Sequence, residues 1–243
     1  EMRAADYDDW VTPTTSKDGK PQEGISFFLV PMDQPGIEVR PIKMISGESE
    51  FNEVFYTDAR CPKENVVGGV NNGWAVAMSL LGFERGEAAA TGPIRYQAEL
   101  DRLVEMARER GLADDPVIRQ KLAWCHSKVE IMRMNGMRTL TRFLAGHHPG
   151  PDGAISKLYW SEYHKIVTEL AVDIYGAEGM TLSGREPSSA FSTDDAGAPN
   201  STASWVNTFF NARAGTIYAG SSQIQRNIVG EMVLGLPKEP RPQ

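Results

Sequence analysis

The hydrophobic residues of this chain change their spacing near Asn72, and from there almost to the end they recur with the period of a helix. Three turn-rich breaks divide this region, at 111–116, 146–151 and 183–199. Asp115 followed by Pro116 predicts a helix start, because aspartate accepts hydrogen bonds at the cap and proline suits the first helical position. Short breaks between long helices indicate antiparallel neighbours in a bundle. The predicted helices are 73–110, 116–146, 152–175, 201–213 and 220–234.

Before that change the sequence predicts β-strands. Three segments are rich in β-branched and aromatic residues, namely 25–30, 37–42 and 53–56. Asp33, Pro35 and Gly36 separate the first two, which predicts antiparallel strands joined by a hairpin. We therefore expect an α+β fold, with the end of an antiparallel β domain over residues 1–68 and an all-α domain over residues 69–243. Two polar stretches are predicted to be surface loops, at 12–22 and 183–200.

The composition limits the kinds of partner. Of the 243 residues, 41% are hydrophobic and 23% are charged, as is typical of soluble globular proteins. The formal net charge of -7 opposes binding to phosphate backbones, so we expect no nucleic-acid partner. No apolar run approaches the ~20 residues of a transmembrane helix, so we expect no membrane span. Cys61 and Cys125 are too far apart for a disulfide framework, which indicates a reducing, cytoplasmic location.

One carboxylate falls on the apolar face of the first predicted helix. At about 100° per residue, Glu84 lies in the middle of a stripe formed by Ala77, Leu80, Leu81, Ala88 and Thr91. One interpretation is a structural glutamate paired with Arg85 or Arg95. The other is a general base whose pKa is raised by apolar surroundings, as the removal of a weakly acidic carbon-bound proton requires. The spacing leaves both open, and Glu87, about 60° off the stripe, is a second candidate.

Several motifs, taken in order, resemble those of acyl-CoA dehydrogenases. The segments 24–31 and 51–68 are similar to the end of that family's middle β domain, and Phe83-Glu84-Arg85-Gly86 extends the resemblance into the first helix. The run 217–228 is similar to the flavin-contacting turn and last helix of the family. The resemblance implies a carboxy-terminal four-helix bundle. It also implies that the family's amino-terminal helical domain and much of its β domain lie outside this chain.

The resemblance implies a reaction as well. Family members remove a proton α to a thioester carbonyl while a hydride passes from the β carbon to FAD, giving a trans-2-enoyl-CoA, as in fatty acid β-oxidation. Many carry the base directly after the tyrosine of the last turn, where this sequence has Ala219. Others place it on the long helix before an arginine, as Glu84 and Arg85 stand here. Glu84 is therefore the expected base, and the Ala219 N–H is the expected donor to the thioester oxygen.

Other site residues follow from the resemblance by position. Substrate contacts are expected from Gly82, Phe83, Arg85, Tyr218 and Gly220. Flavin contacts are expected from Ser221, Ser222 and Gln223, although a Gly-Ser-Ser run is also an ordinary helix cap. Contacts to the flavin of a neighbouring subunit are expected at its pyrophosphate from Asp173 and Ala177, and elsewhere on that flavin from the candidates Arg110, Arg119 and Gln120. Asp173 stands where the family usually has glutamine, which places an anion near a phosphate.

Three functional hypotheses follow. The first is an FAD-dependent acyl-CoA dehydrogenase that passes electrons to an electron-transfer flavoprotein. The second is a non-catalytic partner subunit of a heteromeric assembly, which the altered Asp173 region favours and which Glu84 opposes. The third is an acyl-CoA oxidase, in which oxygen reoxidises the flavin. The resemblance implies a tetramer, with identical or different subunits.

Overall fold

The computed structural model describes residues 22–47, 49, 51–147, 150–151, 153–180 and 204–238, with the backbone alone for 82–90 and Met180. Contacts divide these residues into two compact units, one made of 22–44 and 49–84 and the other of the remainder. The division falls inside the first long helix, whereas the boundary expected from the sequence, at 68–69, stays a prediction. The expected surface loop at 183–200 and nearly all of that at 12–22 lie outside the described residues.

The first unit contains two small antiparallel sheets. Strand β1 (Phe27–Phe28) pairs with β4 (Val66–Val67), and β2 (Ile37–Ile42) pairs with β3 (Phe51–Tyr56). A 3-10 turn at Lys63–Asn65 leads into β4. The antiparallel arrangement is confirmed. The predicted hairpin between the first two strands was wrong, because each of them pairs with a later strand.

The turn between β1 and β2 explains this pairing. The Gln34 side chain donates to Pro31 O at 2.6 Å and to Arg60 O at 2.8 Å, and it accepts from the Arg60 N–H at 2.7 Å. Gly36, at φ +91°, approaches Thr57 so closely that a Cβ would lie 2.0 Å from Thr57 O. These contacts attach the turn to the segment after β3, so β2 runs beside β3 instead of folding back on β1.

The described residues after the strands form five helices. They are α1 (Gly73–Glu109), α2 (Pro116–Leu144), α3 (Gly153–Tyr175), α4 (Trp205–Ala214) and α5 (Ser222–Ile228), with a 3-10 turn at Gly176–Met180 and a π-helical turn at Val229–Val233. The predicted start of α2 is confirmed, because Asp115 Oδ1 accepts from the N–H groups of Val117 and Ile118 at 2.8 and 2.9 Å. None of the helices in the described ranges is long and apolar enough to cross a membrane.

Helix α3 lies at the centre of the second unit, where it packs against α2, α4 and α5. Its Val167 and Ala171 have no exposed surface and share a core with Leu103 of α1 and with Cys125 and Val129 of α2. Each fully buried aliphatic side chain of this kind contributes roughly 1.5–3 kcal/mol. Because α3 is packed in this way, it provides a fixed support for the segment between α4 and α5.

Candidate active site

The turn between α4 and α5 has an unusual backbone. Ala219 has a φ of +52° and Gly220 a φ of +91°, so two successive residues have positive φ. This conformation costs a residue with a Cβ roughly 1–2 kcal/mol. Gly220 is required for a second reason, because a Cβ there would lie 2.4 Å from Gln225 Nε2. The neighbours of the turn therefore hold it in a conformation that the chain would not adopt by itself.

Within the described residues, the carbonyl groups of Ala219 and Gly220 are paired, whereas their N–H groups are not. Gln225 Nε2 donates to Ala219 O at 3.1 Å and to Gly220 O at 3.4 Å. Among the residues that the structure describes, the N–H groups of Ala219 and Gly220 have no acceptor, and Ala219 is exposed. Backbone donors fixed in this way suit an electron-rich oxygen, such as a thioester carbonyl that gains negative charge during a reaction.

Helix α3 fixes the start of α5 through a carboxylate. The Ser222 N–H donates to Thr216 O at 2.9 Å, which closes the turn, and the Ser222 hydroxyl donates to Glu162 Oε1 at 2.8 Å. This last bond is the main reason why the pKa of Glu162 is lowered, and Lys165 at 3.4 Å and Arg226 at 3.5 Å lower it further. Glu162 therefore stays ionised near neutral pH and remains an acceptor for Ser222.

A buried lysine of α3 fixes the end of α4. Lys157 is 7% exposed, and its Nζ donates to Gly215 O at 2.9 Å, where the last carbonyls of a helix lack partners. Burial lowers the pKa of Lys157. A Cβ on Gly215 would lie only 3.4 Å from the ring of Trp160, also on α3. Helix α3 thus holds the chain on both sides of the turn.

Tyr218 lies beside a buried polar cluster. Glu99 has no exposed surface; Arg95 Nε donates to its Oε1 at 3.1 Å, and His164 Nε2 lies 3.3 Å from its Oε2 without the alignment of a hydrogen bond. Tyr96 packs on the His164 ring at 5.6 Å between centroids. Burial raises the pKa of Tyr96, and the charge of Glu99 raises it further. Tyr218 is near enough to Arg95 and Tyr96 to influence the pKa of each.

The residues expected on the first helix are in helical backbone. Gly82, Phe83, Glu84 and Arg85 all belong to α1, and the structure describes their backbone alone. Within the predicted apolar stripe, Leu80 is 48% exposed and Leu81 is 39% exposed. The described residues therefore do not bury this part of the stripe. The assignment of Glu84 as the base stays a prediction.

Two residues expected to contact the flavin of a neighbouring subunit, Arg110 and Asp173, are paired within the chain. Arg110 Nη2 donates to Glu178 Oε2 at 2.5 Å and Nη1 donates to Tyr175 O at 3.3 Å, while its guanidinium lies 4.6 Å above the Tyr175 ring. Lys121 Nζ donates to Asp173 Oδ2 at 2.6 Å. In this arrangement the Arg110 guanidinium and the Lys121 ammonium each have a carboxylate partner, so neither is a free cation for a phosphate.

The other three residues expected to contact that flavin are Arg119, Gln120 and Ala177. Arg119 Nη1 donates to Ala113 O at 3.3 Å and is 3.8 Å from the Asp114 carboxylate, and Ala177 belongs to the 3-10 turn after α3. Gln120 and Asp173 both line a cavity of about 430 Å³ between α2 and α3, together with Trp124. The structure therefore brings Gln120 and Asp173 together, and their role at a cofactor stays a prediction.

Sequence reasoning did not assign Gln225, Glu162 or Lys157 to the site. All three are polar side chains whose partners lie in or beside the turn. The sequence offers one indication for Gln225. It lies three residues after Ser222, an expected site residue, and residues at this spacing share a helix face. Glu162 and Lys157 had no such signal, because their partners are about 60 residues away in the chain.

The comparison with known proteins identifies the family. A sequence model of the acyl-CoA dehydrogenase carboxy-terminal domain matches residues 71–234. The chain belongs to the acyl-CoA dehydrogenase family. Acyl-CoA dehydrogenase IpdE1 of Mycolicibacterium smegmatis is 42% identical over 230 residues, which are 95% of this chain and 54% of the relative. IpdE1 of Mycobacterium tuberculosis is also 42% identical, over 95% of this chain and 55% of its own length. The chain thus spans about half the length of these curated relatives.

Solved structures share the fold. The Tcur3481-Tcur3483 steroid ACAD matches this chain with a TM-score of 0.75 and 25% sequence identity. The match covers 93% of this chain and 55% of that one. A glutaryl-coenzyme A dehydrogenase in complex with glutaryl-CoA has a TM-score of 0.68 and 22% identity, over 91% of this chain and 53% of that one. These likenesses confirm the predicted α+β fold, and the family match confirms the predicted family.

Proposed function

We propose that the protein to which this chain belongs catalyses the flavin-dependent α,β-dehydrogenation of an acyl-CoA thioester to a trans-2-enoyl-CoA. The observation that carries the proposal is the backbone of Ala219, an exposed residue with positive φ whose N–H has no acceptor among the described residues. The relatives named acyl-CoA dehydrogenase, at 42% identity, support it.

In this proposal the Ala219 N–H donates to the thioester carbonyl oxygen. Negative charge builds on that oxygen as the α proton leaves, so the hydrogen bond is stronger in the transition state than in the bound substrate. The Gly220 N–H beside it also has no acceptor in the described part of the chain and is a second donor for the same region. Because the donor is a backbone group, an alanine at position 219 serves as well as the glutamate that many family members have there.

Glu84 takes the α proton in this proposal. It lies in α1 directly before Arg85, at the position where some family members place their base. Ala219 leaves no carboxylate at the alternative position. A carboxylate in an apolar pocket is a stronger base than one in water, because loss of solvation raises its pKa.

One part of the expected cofactor site fits a flavin. Ser221 and Gln223 at the amino end of α5, with the Gly220 N–H that has no acceptor among the described residues, would hold electron-rich atoms of FAD, whereas the N–H and the hydroxyl of Ser222 already donate to Thr216 O and Glu162 Oε1. FAD, when bound, supplies the acceptor for the hydride from the β carbon. The Arg110 and Asp173 end does not fit a pyrophosphate while its charges are paired within the chain.

We propose a bulky, polycyclic acyl group for the substrate. The likeness to the Tcur3481-Tcur3483 steroid ACAD, at 25% identity, supports this class. We further propose that an electron-transfer flavoprotein accepts the electrons and that the protein assembles as a tetramer, as the family resemblance implies.

A second candidate function is that of a non-catalytic partner subunit. The intrachain pairs Arg110–Glu178 and Lys121–Asp173 favour it, because they stand where contacts to the flavin of a neighbouring subunit were expected. Glu84 and the unpaired Ala219 N–H favour the catalytic role, since a structural subunit needs neither.

The test is anaerobic bleaching of bound flavin in the natural full-length protein, with linear, branched and steroid-type acyl-CoA substrates. Replacement Glu84→Gln is expected to slow bleaching by about 10²- to 10⁴-fold while flavin stays bound, because it removes the base. The matched control, Glu87→Gln, changes a neighbouring carboxylate and is expected to bleach normally. Normal bleaching in Glu84→Gln would place the base elsewhere. Failure of the unaltered protein to bleach with any substrate would favour the partner subunit.

A further inference from the structure

The side chain of Gln225 is buried and directed at the turn. It is 1% exposed, and its Nε2 donates both to Ala219 O at 3.1 Å and to Gly220 O at 3.4 Å. A side-chain amide has two N–H hydrogens, so these two bonds use its whole donor capacity. The opposite amide orientation would place Oε1 against two carbonyl oxygens, which cannot donate to it. The contacts therefore determine which way the amide points.

Stability alone does not account for an amide at this position. Gln225 Oε1 is buried and has no partner in the described part of the chain. A buried acceptor without a partner costs about 1–3 kcal/mol, which offsets much of the gain from the two bonds. A methionine of similar length would fill the same space without that cost. The amide is therefore better explained by what it does to the turn than by packing.

The two bonds restrict the peptide groups of the turn. Holding Ala219 O fixes the plane of the Ala219–Gly220 peptide, and holding Gly220 O fixes the next peptide. The Ala219 N–H belongs to the preceding Tyr218–Ala219 peptide, so the two bonds act on it through the backbone torsions of Ala219. Ala219 must then keep positive φ, at +52°, although this costs roughly 1–2 kcal/mol for a residue with a Cβ. Without Gln225, the Ala219–Gly220 peptide is free to rotate about the backbone bonds of Ala219, and relief of the positive φ would change the direction of the Ala219 N–H relative to the rest of the turn.

We infer that Gln225 is a positioning residue, which holds the Ala219 and Gly220 carbonyl groups so that the Ala219 N–H stays directed at the substrate carbonyl. This inference rests on the proposed function. Gln225 itself contacts the turn and not the substrate. It acts through the backbone of the turn, and Gly220 is its counterpart, since any Cβ at Gly220 would collide with the amide.

The test compares Gln225→Met with Asn227→Leu in the natural full-length protein. The first variant keeps the length of the side chain and removes both donors. The second removes an exposed amide from the same helix without touching the turn. Both are first examined without substrate, by NMR of the Ala219 and Gly220 amides. We expect shifted resonances and faster hydrogen exchange of these amides in Gln225→Met alone.

The second readout is the bound thioester. In Gln225→Met we expect kcat to fall about 10- to 100-fold with little change in KM, which is less than the loss of an entire oxyanion donor. The carbonyl stretching frequency of a bound acyl-CoA analogue is expected to move back toward its value in water. A variant that is only less stable would lower Tm and leave this frequency unchanged in its folded, flavin-bound fraction.

The outcomes separate the two proposals. Unchanged turn amides in Gln225→Met would overturn the inference about Gln225. Disturbed amides with normal kcat and carbonyl frequency would also overturn it, and would count against Ala219 as the donor. If the unaltered protein dehydrogenates no acyl-CoA, the proposed function fails, and the amide exchange still reports whether Gln225 holds the turn.

Gln225→Glu is a second variant, whose side chain has nearly the same size and geometry as glutamine. A carboxyl in this buried place is expected to have a raised pKa, and only its protonated form donates to the turn. We expect activity to fall as pH rises through that pKa, relative to the unaltered protein. A pH profile identical to that of the unaltered protein would contradict the inference even if Gln225→Met does not fold.

Discussion

Replacement of Gly220 by alanine tests the geometry of the turn directly. Gly220 has a φ of +91°, and a Cβ would lie 2.4 Å from Gln225 Nε2. The backbone conformation costs alanine roughly 1–2 kcal/mol. The displacement of a buried side chain adds a cost typical of overpacking, so we expect Gly220→Ala to lower the free energy of unfolding by about 2–4 kcal/mol. For a domain of this size that corresponds to a fall in Tm of about 5–15 °C.

Gly111→Ala is the matched control for this change. Gly111 also has a positive φ, +70°, but nothing lies within 4 Å of its Cβ position. It therefore carries the backbone cost, about 1 kcal/mol, without the collision. The free energies of unfolding of the two variants are compared by urea denaturation. The comparison requires that the dependence of this free energy on urea concentration has the same slope in both. A loss of stability in Gly220→Ala no larger than that in Gly111→Ala would refute the contact between Gly220 and Gln225.

Two further predictions concern the bonds from α3. Ser222→Ala is expected to raise the pKa of Glu162 toward its ordinary value, because it removes the hydrogen bond that chiefly lowers it. A carboxylate with a lowered folded-state pKa stabilises the protein above the unfolded pKa and loses this effect as pH falls through the folded one. The variant should therefore be less stable at pH 7, with a difference that narrows below about pH 4.5 in denaturation curves; a constant difference would contradict this. Lys157→Met is expected to cost about 1–3 kcal/mol, because Gly215 O loses its donor in a buried place. An unchanged urea midpoint would show that this oxygen has another partner.

The strands show which feature the local sequence did not predict, namely the pairing of strands in the sheets. The β-branched and aromatic segments were correctly predicted to be antiparallel strands. Their partners were not, because Pro35 and Gly36 mark a turn without saying which strand follows it in the sheet. The contacts of Gln34 with Arg60 and of Gly36 with Thr57 decide the pairing, and they join residues more than 20 positions apart.

The site shows a similar division. Motif resemblance located Ala219 and the serines of α5, and the structure gives the turn a geometry suited to a backbone donor. Gln225 belongs to the motif at 217–228, but the sequence does not show that its side chain is buried or that it forms two hydrogen bonds to the turn. The side chain of Glu84 lies in the stretch where only the backbone is described, so its role rests on sequence.

The sequence by itself determined the helices, the family and the position of the turn. Helical periodicity, the Asp115–Pro116 start and the motif at 217–228 are local features, so they are visible in the order of the residues alone. Tertiary structure alone decided which polar groups hold the turn. Lys157 and Glu162 reach Gly215 and Ser222 only because α3 packs between α2, α4 and α5, and burial of apolar surface, which is not directional, brings those partners together.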